Sequence, residues 1–474
     1  MGHQIAGRCR PVPFSGCCPG PLADLAAAVG GTLHDADPAR PVTGSATFDS
    51  RLVEPGGVFV ALAGEHADGH DFAGQAHAAG AIAVLASRPV EVPAIMVDDV
   101  PAAYARLSSA LVDRLPQLAV VGVTGSVGKT TTKDLIGQVL SRLGPTIAPP
   151  GNRNSETGVP ETVSWLADDS RFLVLEMGAR HVGDIAYLAA MVRLDVGVAL
   201  NVGSAHLGTF GSRQAIARAK GEIVEALTGD GVAVLNADDP LVAAMATRTP
   251  AKVVTFGRAP DATVRAEQVL LDAAGRASFR LCTPHGRTPV RLGVHGEHLV
   301  HNALAAAAVG LQFTDDLELI ADALSSAGIL SPGRMHVTHR PDGVTIVDDA
   351  YNANPTSMTA ALAAVTALAG GRRVTAVLGQ MNELGTQSAA EHVRLGEAVA
   401  LAGVTLLVAV GNDDAGQFAA AAAAGGVEVV HVADREAAAF ALAGRLSAGD
   451  VVLVKGSNGV GLMTLARELA NADS

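Results

Sequence analysis

The pattern of hydrophobic and polar positions is clearest between residues 119 and 140. An apolar run rich in β-branched residues, Ala119 to Val123, leads into a turn that contains two glycines. Apolar residues then recur at helical spacing, from Leu135 to Leu140. This order predicts a strand, a loop, and a helix that begins near Lys129.

Similar patterns cover the rest of the chain. A helical period runs from Leu22 to Val29 and stops at Gly30-Gly31, short β-like runs follow, and residues 73–79 suggest another helix. Residues 263–294 contain short β segments joined by turns, which is typical of hairpins. Beyond residue 331, apolar strands alternate with alanine-rich helices. That alternation predicts a mainly parallel sheet of the nucleotide-binding type.

The length of 474 residues fits about three domains of ~150 residues each. We therefore expect an α/β protein with a small α/β domain at residues 21–116, a central domain at 117–330 and a nucleotide-binding-type domain at 331–474. Residues 1–20 are Pro/Gly-rich and are interpreted as a disordered leader or as the product of an upstream start codon. Cys9, Cys17 and Cys18 could make this leader a metal site, but the four-ligand spacing of zinc sites is missing.

The charge balance excludes some classes of function. A net charge of -13 and an aromatic content of 3% argue against a nucleic-acid-binding surface. No apolar run reaches the length of roughly 18 to 20 residues that spans a bilayer, and residues 1–20 lack a signal-peptide core. A cytoplasmic protein that is not inserted in a membrane is expected.

The predicted loop has the chemistry of a phosphate site. Gly125 and Gly128 allow backbone N–H groups to point at an anion, and Lys129 adds a full charge at the helix N-terminus. Thr130 could place its hydroxyl on Mg²⁺. The usual spacing would put a first glycine where Val123 stands, so the loop is a variant, and an ordinary turn is the alternative. The order of strand, loop and helix favours a nucleotide.

Two further candidates lie at predicted strand ends. Glu176 ends an apolar strand, where a carboxylate is costly unless it is paired or bound to a metal. His206 follows the strand that ends near Val202. Since strand ends carry ligands in open α/β sheets, both could converge on the magnesium of the loop. A structural role for His206 is equally open.

The small number of lysines in the chain makes Lys220 a further candidate site residue. The chain has only five lysines, Lys129, Lys133, Lys220, Lys252 and Lys455, and uses arginine for the other positive charges. A lysine that was not replaced by arginine is a candidate for a role that needs a compact amine. A surface ion pair with Glu225 is the alternative for Lys220.

Several longer strings resemble a known family. They are Thr124-Gly-Ser-Val-Gly-Lys-Thr130, Gly151-Asn-Arg-Asn154, Glu176-Met-Gly178, Ala205-His-Leu207, Phe210-Gly-Ser212, Ala219-Lys-Gly-Glu222, Asn302-Ala-Leu-Ala-Ala-Ala307 and Asp349-Ala-Tyr-Asn-Ala-Asn-Pro355. From about residue 21 to the C-terminus, the chain resembles the Mur ligases. This resemblance implies a UDP-sugar-binding domain at residues 21–116, a central ATPase-like domain at 117–330 and a Rossmann-like domain at 331–474. The last string resembles the member that adds D-Ala-D-Ala to UDP-MurNAc-tripeptide.

The resemblance implies a reaction and its partners. ATP would phosphorylate the terminal carboxylate of UDP-MurNAc-tripeptide, and the amine of D-Ala-D-Ala would attack the acyl phosphate. ATP and Mg²⁺ are then the expected cofactors, with a possible carbamate on Lys220 that would turn the amine into a metal-binding carboxylate. A monomer is expected.

The resemblance also implies roles for individual residues. Catalysis would depend on Lys129, Glu176, His206 and Lys220, and the metals on Thr130, Glu176, His206 and Lys220. ATP would contact Thr124, Gly125, Ser126, Val127, Gly128, Lys129, Thr130, Thr131, Asn302, Arg334 and Asp349. The other substrates would contact Ser50, Arg51, Asp68, Gly69, His70, Asn152, Asn154, Tyr351, Asn352 and Asn354. On residue type alone, the turns at 49–51 and 68–70 could equally be surface structure.

Two alternatives remain at this stage. Another amide ligase of the superfamily, such as a folylpolyglutamate synthetase, would lack the N-terminal module that contains residues 48–51 and 68–70. A regulator that binds ATP and a cell-wall precursor without turnover would be expected to lose Lys129, Glu176 or His206, and all three are present. The sequence departs from the family pattern at Ser155, Leu299 and Gln380, which puts substrate contacts in doubt more than the reaction class.

Overall fold

A computed structural model of the protein describes residues 20–64, 67–203 and 207–472. The predicted leader at residues 1–20 therefore lies outside the described residues except for Gly20, and His206 lies outside them as well. Strands alternate with helices along the described chain, as the sequence pattern predicts. The α/β fold class is confirmed.

The first segment builds one small sheet. The strands are β1 (Thr32–His34), β2 (Ala46–Thr47), β3 (Val58–Val60), β4 (Ala83–Ala86) and β5 (Ala94–Met96), and the helices are α1 (Leu22–Val29), α2 (Ala73–Ala78) and α3 (Val100–Asp113). The order in the sheet is β1-β5-β4-β3-β2, with β1 antiparallel to β5 and the other pairs parallel. The predicted end of α1 is confirmed, because Gly30 closes the helix in the left-handed conformation.

The central segment contains the longest run of elements. Its strands are β6 (Ala119–Thr124), β7 (Thr146–Ile147), β8 (Phe172–Glu176), β9 (Val196–Ala199), β10 (Val232–Asn236), β11 (Lys252–Gly257), β12 (Val264–Leu271), β13 (Arg276–Thr283) and β14 (Gly286–His295). Its helices are α4 (Lys129–Leu140), α5 (Gly158–Val163), α6 (Asp184–Ala190), α7 (Leu207–Phe210), α8 (Arg213–Glu225), α9 (Pro240–Ala243), α10 (Leu299–Gly310) and α11 (Leu317–Ser326). The predicted hairpin region is confirmed, since β12, β13 and β14 pair antiparallel.

The last segment forms a six-stranded sheet. Its strands are β15 (His336–His339), β16 (Thr345–Asp348), β17 (Val374–Gly379), β18 (Leu406–Val410), β19 (Glu428–Val432) and β20 (Val451–Lys455). Its helices are α12 (Pro355–Ala369), α13 (Ser388–Leu401), α14 (Asp413–Ala424), α15 (Arg435–Leu442) and α16 (Leu462–Asn471). The order is β15-β16-β20-β17-β18-β19, and all pairs except β15 with β16 are parallel.

The position of β20 between β16 and β17 matters for the site. In the ladder, Asp348 pairs with Val454, and Leu378 pairs with Lys455. The carboxyl ends of the three strands therefore lie side by side, which is where ligands bind in sheets of this kind. The side chains of β16, β17, β18 and β20 are all buried, as expected for parallel strands covered on both faces.

Contacts divide the chain into two compact units. Residues up to 121, 144–177 and 186–195 form the first, and residues 122–143, 178–185 and 196 onward form the second. The central segment contributes to both units. The three predicted domain boundaries stay a prediction.

Candidate functional site

The predicted phosphate loop lies between β6 and α4, in the second unit from residue 122 onward. Gly128 caps α4 with a φ of 83°, a left-handed conformation that favours glycine. A Cβ atom at this position would lie 2.7 Å from Nδ2 of Asn302. Lys129 Nζ donates a hydrogen bond to the Gly125 carbonyl oxygen over 2.9 Å, which folds the side chain back along the loop.

Asn302 holds the end of this loop from α10. Its Nδ2 donates to the Gly128 carbonyl oxygen (3.0 Å) and to Thr132 Oγ1 (2.9 Å). Only 8% of the residue is exposed. Because α10 is rich in buried alanines, its backbone can approach α4 closely, and this places Asn302 at the loop. Sequence comparison with the family suggested a contact to the nucleotide, and the structure adds a contact to the loop itself.

Asn201 is a residue that sequence reasoning missed. It follows β9, and its Oδ1 accepts hydrogen bonds from the backbone N–H groups of Ser126 and Val127, both over 3.0 Å. Its Nδ2 donates to the Val127 carbonyl oxygen over 3.1 Å. Ser126 Oγ in turn accepts from the N–H of Gly203. The signal that could have identified Asn201 is its position at the end of a predicted strand.

The remaining predicted loop residues line the same turn. Thr124, Ser126 and Thr130 are buried, and Val127 and Thr131 are partly buried. Arg334 reaches this turn from the last segment, where its Nη2 donates to Thr130 Oγ1 over 3.2 Å. The Arg334 guanidinium also lies 4.2 Å from the ring centre of Tyr351. Two cationic side chains, Lys129 and Arg334, therefore flank the phosphate loop.

Asp349 follows β16 and is engaged by Lys455 from β20. Lys455 Nζ lies 2.7 Å from Asp349 Oδ2, and Asp349 Oδ1 accepts from the N–H of Met335. Burial lowers the pKa of the Lys455 ammonium below its ordinary value, and the Asp349 carboxylate opposes that shift. Burial likewise lowers the pKa of His298. Lys455 and Asp349 thus join the ends of β16 and β20.

The predicted substrate residues Asn352 and Asn354 lie in different surroundings. Asn352 is exposed, and its Oδ1 accepts from the N–H of Ala353. Asn354 caps α12 through a capping box with Ser357. Asn354 therefore contributes to helix capping, and its contact to a substrate stays a prediction.

Lys220 lies on α8 and is 5% exposed. Glu225 pairs with Arg248 over 2.8 Å, and the burial of Lys220 argues against the alternative of a surface pair with Glu225. The same arginine crosses α8 at Gly221, where a Cβ atom would meet its Nη1 at 1.9 Å. On α8, Glu222 Oε1 accepts from the N–H of Gly183. The helix that carries Lys220 is thus held by a close arginine contact and by a loop amide.

In the first unit, Glu176 ends β8 and is 3% exposed. Its Oε1 accepts from Asn154 Nδ2 over 2.8 Å, so the loop at residues 151–154, called the amide loop below, is tied to this carboxylate. Asn152 is exposed in the same loop. The carboxylate is an oxygen donor of the type that magnesium prefers.

The same loop is anchored by an ion pair. Arg153 Nε donates to Glu161 Oε2 over 2.9 Å, and Thr47 Oγ1 donates to Glu161 Oε1 over 3.0 Å. Glu161 is 5% exposed. Thr47 belongs to β2, directly before the predicted Asp49-Ser50-Arg51 turn, and its Oγ1 also accepts from the N–H of Asp49. Sequence reasoning did not identify Arg153 or Glu161.

The two N-terminal turns are closed by internal contacts. Arg51 is exposed and pairs with Asp49, which lowers the pKa of that carboxyl, and Ser50 is buried. His70 Nδ1 lies 2.6 Å from Asp68 Oδ1, and its Nε2 accepts from the N–H of Ser87. Hydrogen bonds from the backbone N–H and the imidazole of His70 hold the pKa of Asp68 at about 2. Gly69 packs against the backbone of Leu62, where a Cβ atom would be 2.7 Å away.

The proposed metal set is distributed over the chain. Thr130 and Lys220 belong to the second unit and Glu176 to the first, while His206 lies outside the described residues. Within the described ranges, no helix is long and apolar enough to cross a membrane.

Three family models match successive parts of the chain. The model "Mur ligase family, catalytic domain" matches residues 45–123, "Mur ligase middle domain" matches 123–310, and "Mur ligase, glutamate ligase domain" matches 333–458. Together they cover most of the described residues.

Individual relatives agree with these models. The UDP-N-acetylmuramoyl-tripeptide--D-alanyl-D-alanine ligase of Mycobacterium tuberculosis is 45% identical over 96% of this chain and 98% of its own length. A crystal structure of MurF from Acinetobacter baumannii is 34% identical, with a TM-score of 0.85 over 97% of this chain and 100% of that one. MurF from Thermotoga maritima in complex with ADP is 31% identical, with a TM-score of 0.76 over 90% of this chain and 97% of that one.

Proposed function

The chain belongs to the Mur ligase family, and from this premise we propose that it joins D-Ala-D-Ala to UDP-MurNAc-tripeptide at the expense of ATP. The similarity to ligases of this name over almost the whole of both chains supports the substrates. The product is UDP-MurNAc-pentapeptide, a precursor of peptidoglycan.

The reaction proceeds in two steps. A carboxylate oxygen at the end of the tripeptide attacks the γ-phosphorus of ATP, which gives an acyl phosphate and ADP. The amine of D-Ala-D-Ala then attacks the acyl carbon, loses a proton and expels inorganic phosphate, so that an amide remains. Cationic groups are needed at the phosphates because charge moves between oxygens in both steps.

One observation carries the proposal for this chain. The turn at residues 125–128 is fixed by Asn201 and Asn302, and it has Lys129 at the start of α4 and Arg334 at Thr130. A preorganised loop with two cations favours binding of a phosphate chain. We assign the β- and γ-phosphates to Lys129 and expect its side chain to leave the Gly125 carbonyl when ATP binds.

We further propose a magnesium site and a modified lysine. The hydroxyl of Thr130 and the carboxylate of Glu176 are hard oxygen donors that fit Mg²⁺, with His206 and Lys220 assigned to a second metal by family resemblance. The metal would neutralise phosphate charge. Addition of CO₂ to the Lys220 amine, with loss of a proton, would give a carbamate. The buried position of Lys220 supports a specific role.

The other substrate contacts are proposals of the same kind. We assign the UDP-sugar to the turns that contain Ser50, Arg51 and residues 68–70, and the peptide part to Asn152, Asn154, Tyr351 and Asn352. A monomer that acts in the cytoplasm, where ATP and nucleotide-linked precursors are made, completes the proposal.

Phosphate release tests the proposed function. ATP, Mg²⁺ and UDP-MurNAc-tripeptide would be supplied with D-Ala-D-Ala, D-Ala or L-glutamate, using tripeptides that end in meso-diaminopimelate or in L-lysine. We expect release only with D-Ala-D-Ala, together with a pentapeptide product by mass spectrometry. Phosphate release with another acceptor would show that the acceptor is not D-Ala-D-Ala. Nucleotide binding without phosphate release would favour a regulator. Lys129→Ala, which should fold but not turn over ATP, is the control.

A further inference from the structure

Lys455 is a buried lysine that the proposed mechanism does not use. It ends β20, and only 2% of its side chain is exposed. Its ammonium group contacts three acceptors: Asp349 Oδ2 at 2.7 Å, Asn352 O at 2.9 Å and Asp349 O at 3.3 Å. Since an ammonium carries three N–H donors, all of them are directed at the turn formed by residues 349–352.

The 349–352 turn holds the residues on both sides of Arg334 in place. Asp349 Oδ1 accepts from the N–H of Met335, a residue held at a φ of 54°. The N–H of Tyr351 donates to the Gly333 carbonyl oxygen over 3.2 Å, and a Cβ at Gly333 would lie 2.9 Å from that nitrogen. The left-handed conformation of Met335 is costly for a side chain of this size, so contacts from the turn are needed to maintain it.

Arg334 connects this arrangement to the phosphate loop. Its guanidinium stacks on Tyr351 and donates to Thr130 Oγ1. A shift of the turn at 349–352 would therefore move both the stacking surface and the backbone on each side of Arg334. The hydroxyl of Thr130 is the group assigned above to magnesium.

A purely structural role gives no reason for a lysine here. Burying an ammonium and a carboxylate is expensive, and a well-packed apolar pair of similar volume is often as stable. A buried ion pair is better suited to fix one geometry than to add stability. The three N–H donors of Lys455 are already directed at residues 349–352, so none is left for a substrate.

We propose that Lys455 is a positioning residue, which fixes the Asp349–Asn352 turn and thereby holds Arg334 against Thr130 of the phosphate loop. The inference rests on the proposed function only in that the assay uses ATP turnover. The effect that it predicts directly is weaker nucleotide binding when Lys455 is replaced.

The test is a double-mutant cycle between Lys455→Met and Arg334→Met. In the wild-type background, we expect Lys455→Met to weaken Mg²⁺–ADP binding and to lower kcat/KM for ATP, each by about tenfold. In the Arg334→Met background, the same substitution should change either value by less than about twofold. Lys252→Met, which alters an exposed lysine on β11, is the control and should match the wild type. Lys455→Arg should not restore binding, because the guanidinium is larger than the ammonium and its donors lie in one plane, so it does not fit the space of the compact Lys455 ammonium.

Two results would overturn the inference. The first is that Lys455→Met binds and turns over nucleotide as well as Lys252→Met does. The second is that Lys455→Met lowers nucleotide affinity by the same factor in the wild-type background and in the Arg334→Met background. If Lys455→Met does not fold, the double variant Asp349→Asn/Lys455→Met can be used, because it removes both buried charges. Its affinity for Mg²⁺–ADP should differ little from that of Asp349→Asn. Calorimetry with Mg²⁺–ADP keeps the test independent of the acceptor, and a wild type without D-Ala-D-Ala-dependent release would contradict only the proposed function.

Discussion

Asn201 forms a two-way amide pair with the backbone of Val127, accepting from its N–H over 3.0 Å and donating to its carbonyl oxygen over 3.1 Å. A side-chain amide can do both without a charge, because its oxygen accepts while its NH₂ group donates. Asn201 therefore fixes the direction of the Val127 peptide, and with it the shape of the phosphate loop.

Asn201→Asp should impair ATP binding. The carboxylate can still accept from the loop N–H groups, but it opposes the Val127 carbonyl and adds negative charge beside the phosphates. Leaving a buried polar group unsatisfied costs about 1–3 kcal/mol, so we expect KM for ATP to rise about tenfold or more. Asn236→Asp is the matched control, since Asn236 is a buried strand-end amide that bonds Leu200 and Asp238 instead. Equal effects of the two substitutions on KM would contradict the assignment.

Gly128→Ala should damage the loop in two ways. The φ of 83° costs about 1–2 kcal/mol with a Cβ, and the new methyl would lie 2.7 Å from Asn302 Nδ2. Gly403→Ala isolates the first effect, because Gly403 has a φ of 72° and open space around its Cβ position.

We expect the unfolding free energy, from denaturant titration, to fall by more in Gly128→Ala than in Gly403→Ala. Gly128→Ala/Asn302→Ala should not regain ATP binding, because it relieves the contact but removes the hydrogen bonds from Asn302 to Gly128 and Thr132 and keeps the unfavourable φ. A fall of the same size in both single variants would show that the loop accommodates the methyl group.

Local patterns predicted much of this structure. The helix that ends at Gly30, the loop before Lys129 and the parallel strands of the last sheet follow from periodicity and turn residues nearby in sequence, whereas the antiparallel strand β15 was not predicted. The partners of Asn201 and Lys455 could not be predicted in this way. Asn201 bonds a residue 74 positions away, and Lys455 bonds one 106 positions away. Such contacts depend on strand order, which the sequence pattern leaves open.

The proposed carbamate on Lys220 predicts chemical rescue. Lys220→Ala should lose activity by about a hundredfold or more, and a small added carboxylate, such as formate or acetate, should restore part of it by supplying the missing oxygens. Lys129→Ala provides the control, because a carboxylate cannot replace a cation at the phosphates. Absence of rescue in Lys220→Ala, with a folded protein, would favour a plain ammonium.

Asp68 predicts a pH-dependent contribution to stability. Its pKa is about 2 in the folded protein, against an ordinary 3.8, because His70 donates to the carboxylate. A lowered pKa stabilises the folded state fully above the unfolded value, and this contribution is lost as the pH falls from there toward about 2. The difference in unfolding free energy between wild type and Asp68→Asn should therefore be constant above about pH 5 and shrink below it.

Urea titrations between pH 6 and pH 3 would measure this difference. Asp98→Asn is a suitable comparison, since Asp98 is exposed and its side chain has no hydrogen bond within the described part of the chain. A difference that stays constant down to pH 3 would mean that the Asp68 pKa is not lowered.

The ion pair between Arg153 and Glu161 predicts coupling between the amide loop and β2. Arg153→Met would leave the Glu161 carboxylate, which is 5% exposed, with Thr47 but without its cation. We expect a loss of about 2–3 kcal/mol in unfolding free energy, below the ~3–5 kcal/mol of a fully buried pair because Arg153 is partly exposed. Arg153→Met/Glu161→Gln should regain about 1 kcal/mol, because the uncompensated charge is gone.

Both variants should raise KM for UDP-MurNAc-tripeptide more than KM for ATP. Glu161 connects the loop of Asn152 and Asn154 to Thr47, and Thr47 supports the turn assigned to the UDP-sugar. Steady-state kinetics with each substrate varied in turn would measure this. If the double variant regained stability but not the KM for the precursor, the pair would serve geometry rather than stability, and if the effects on stability were additive, Arg153 and Glu161 would not be coupled.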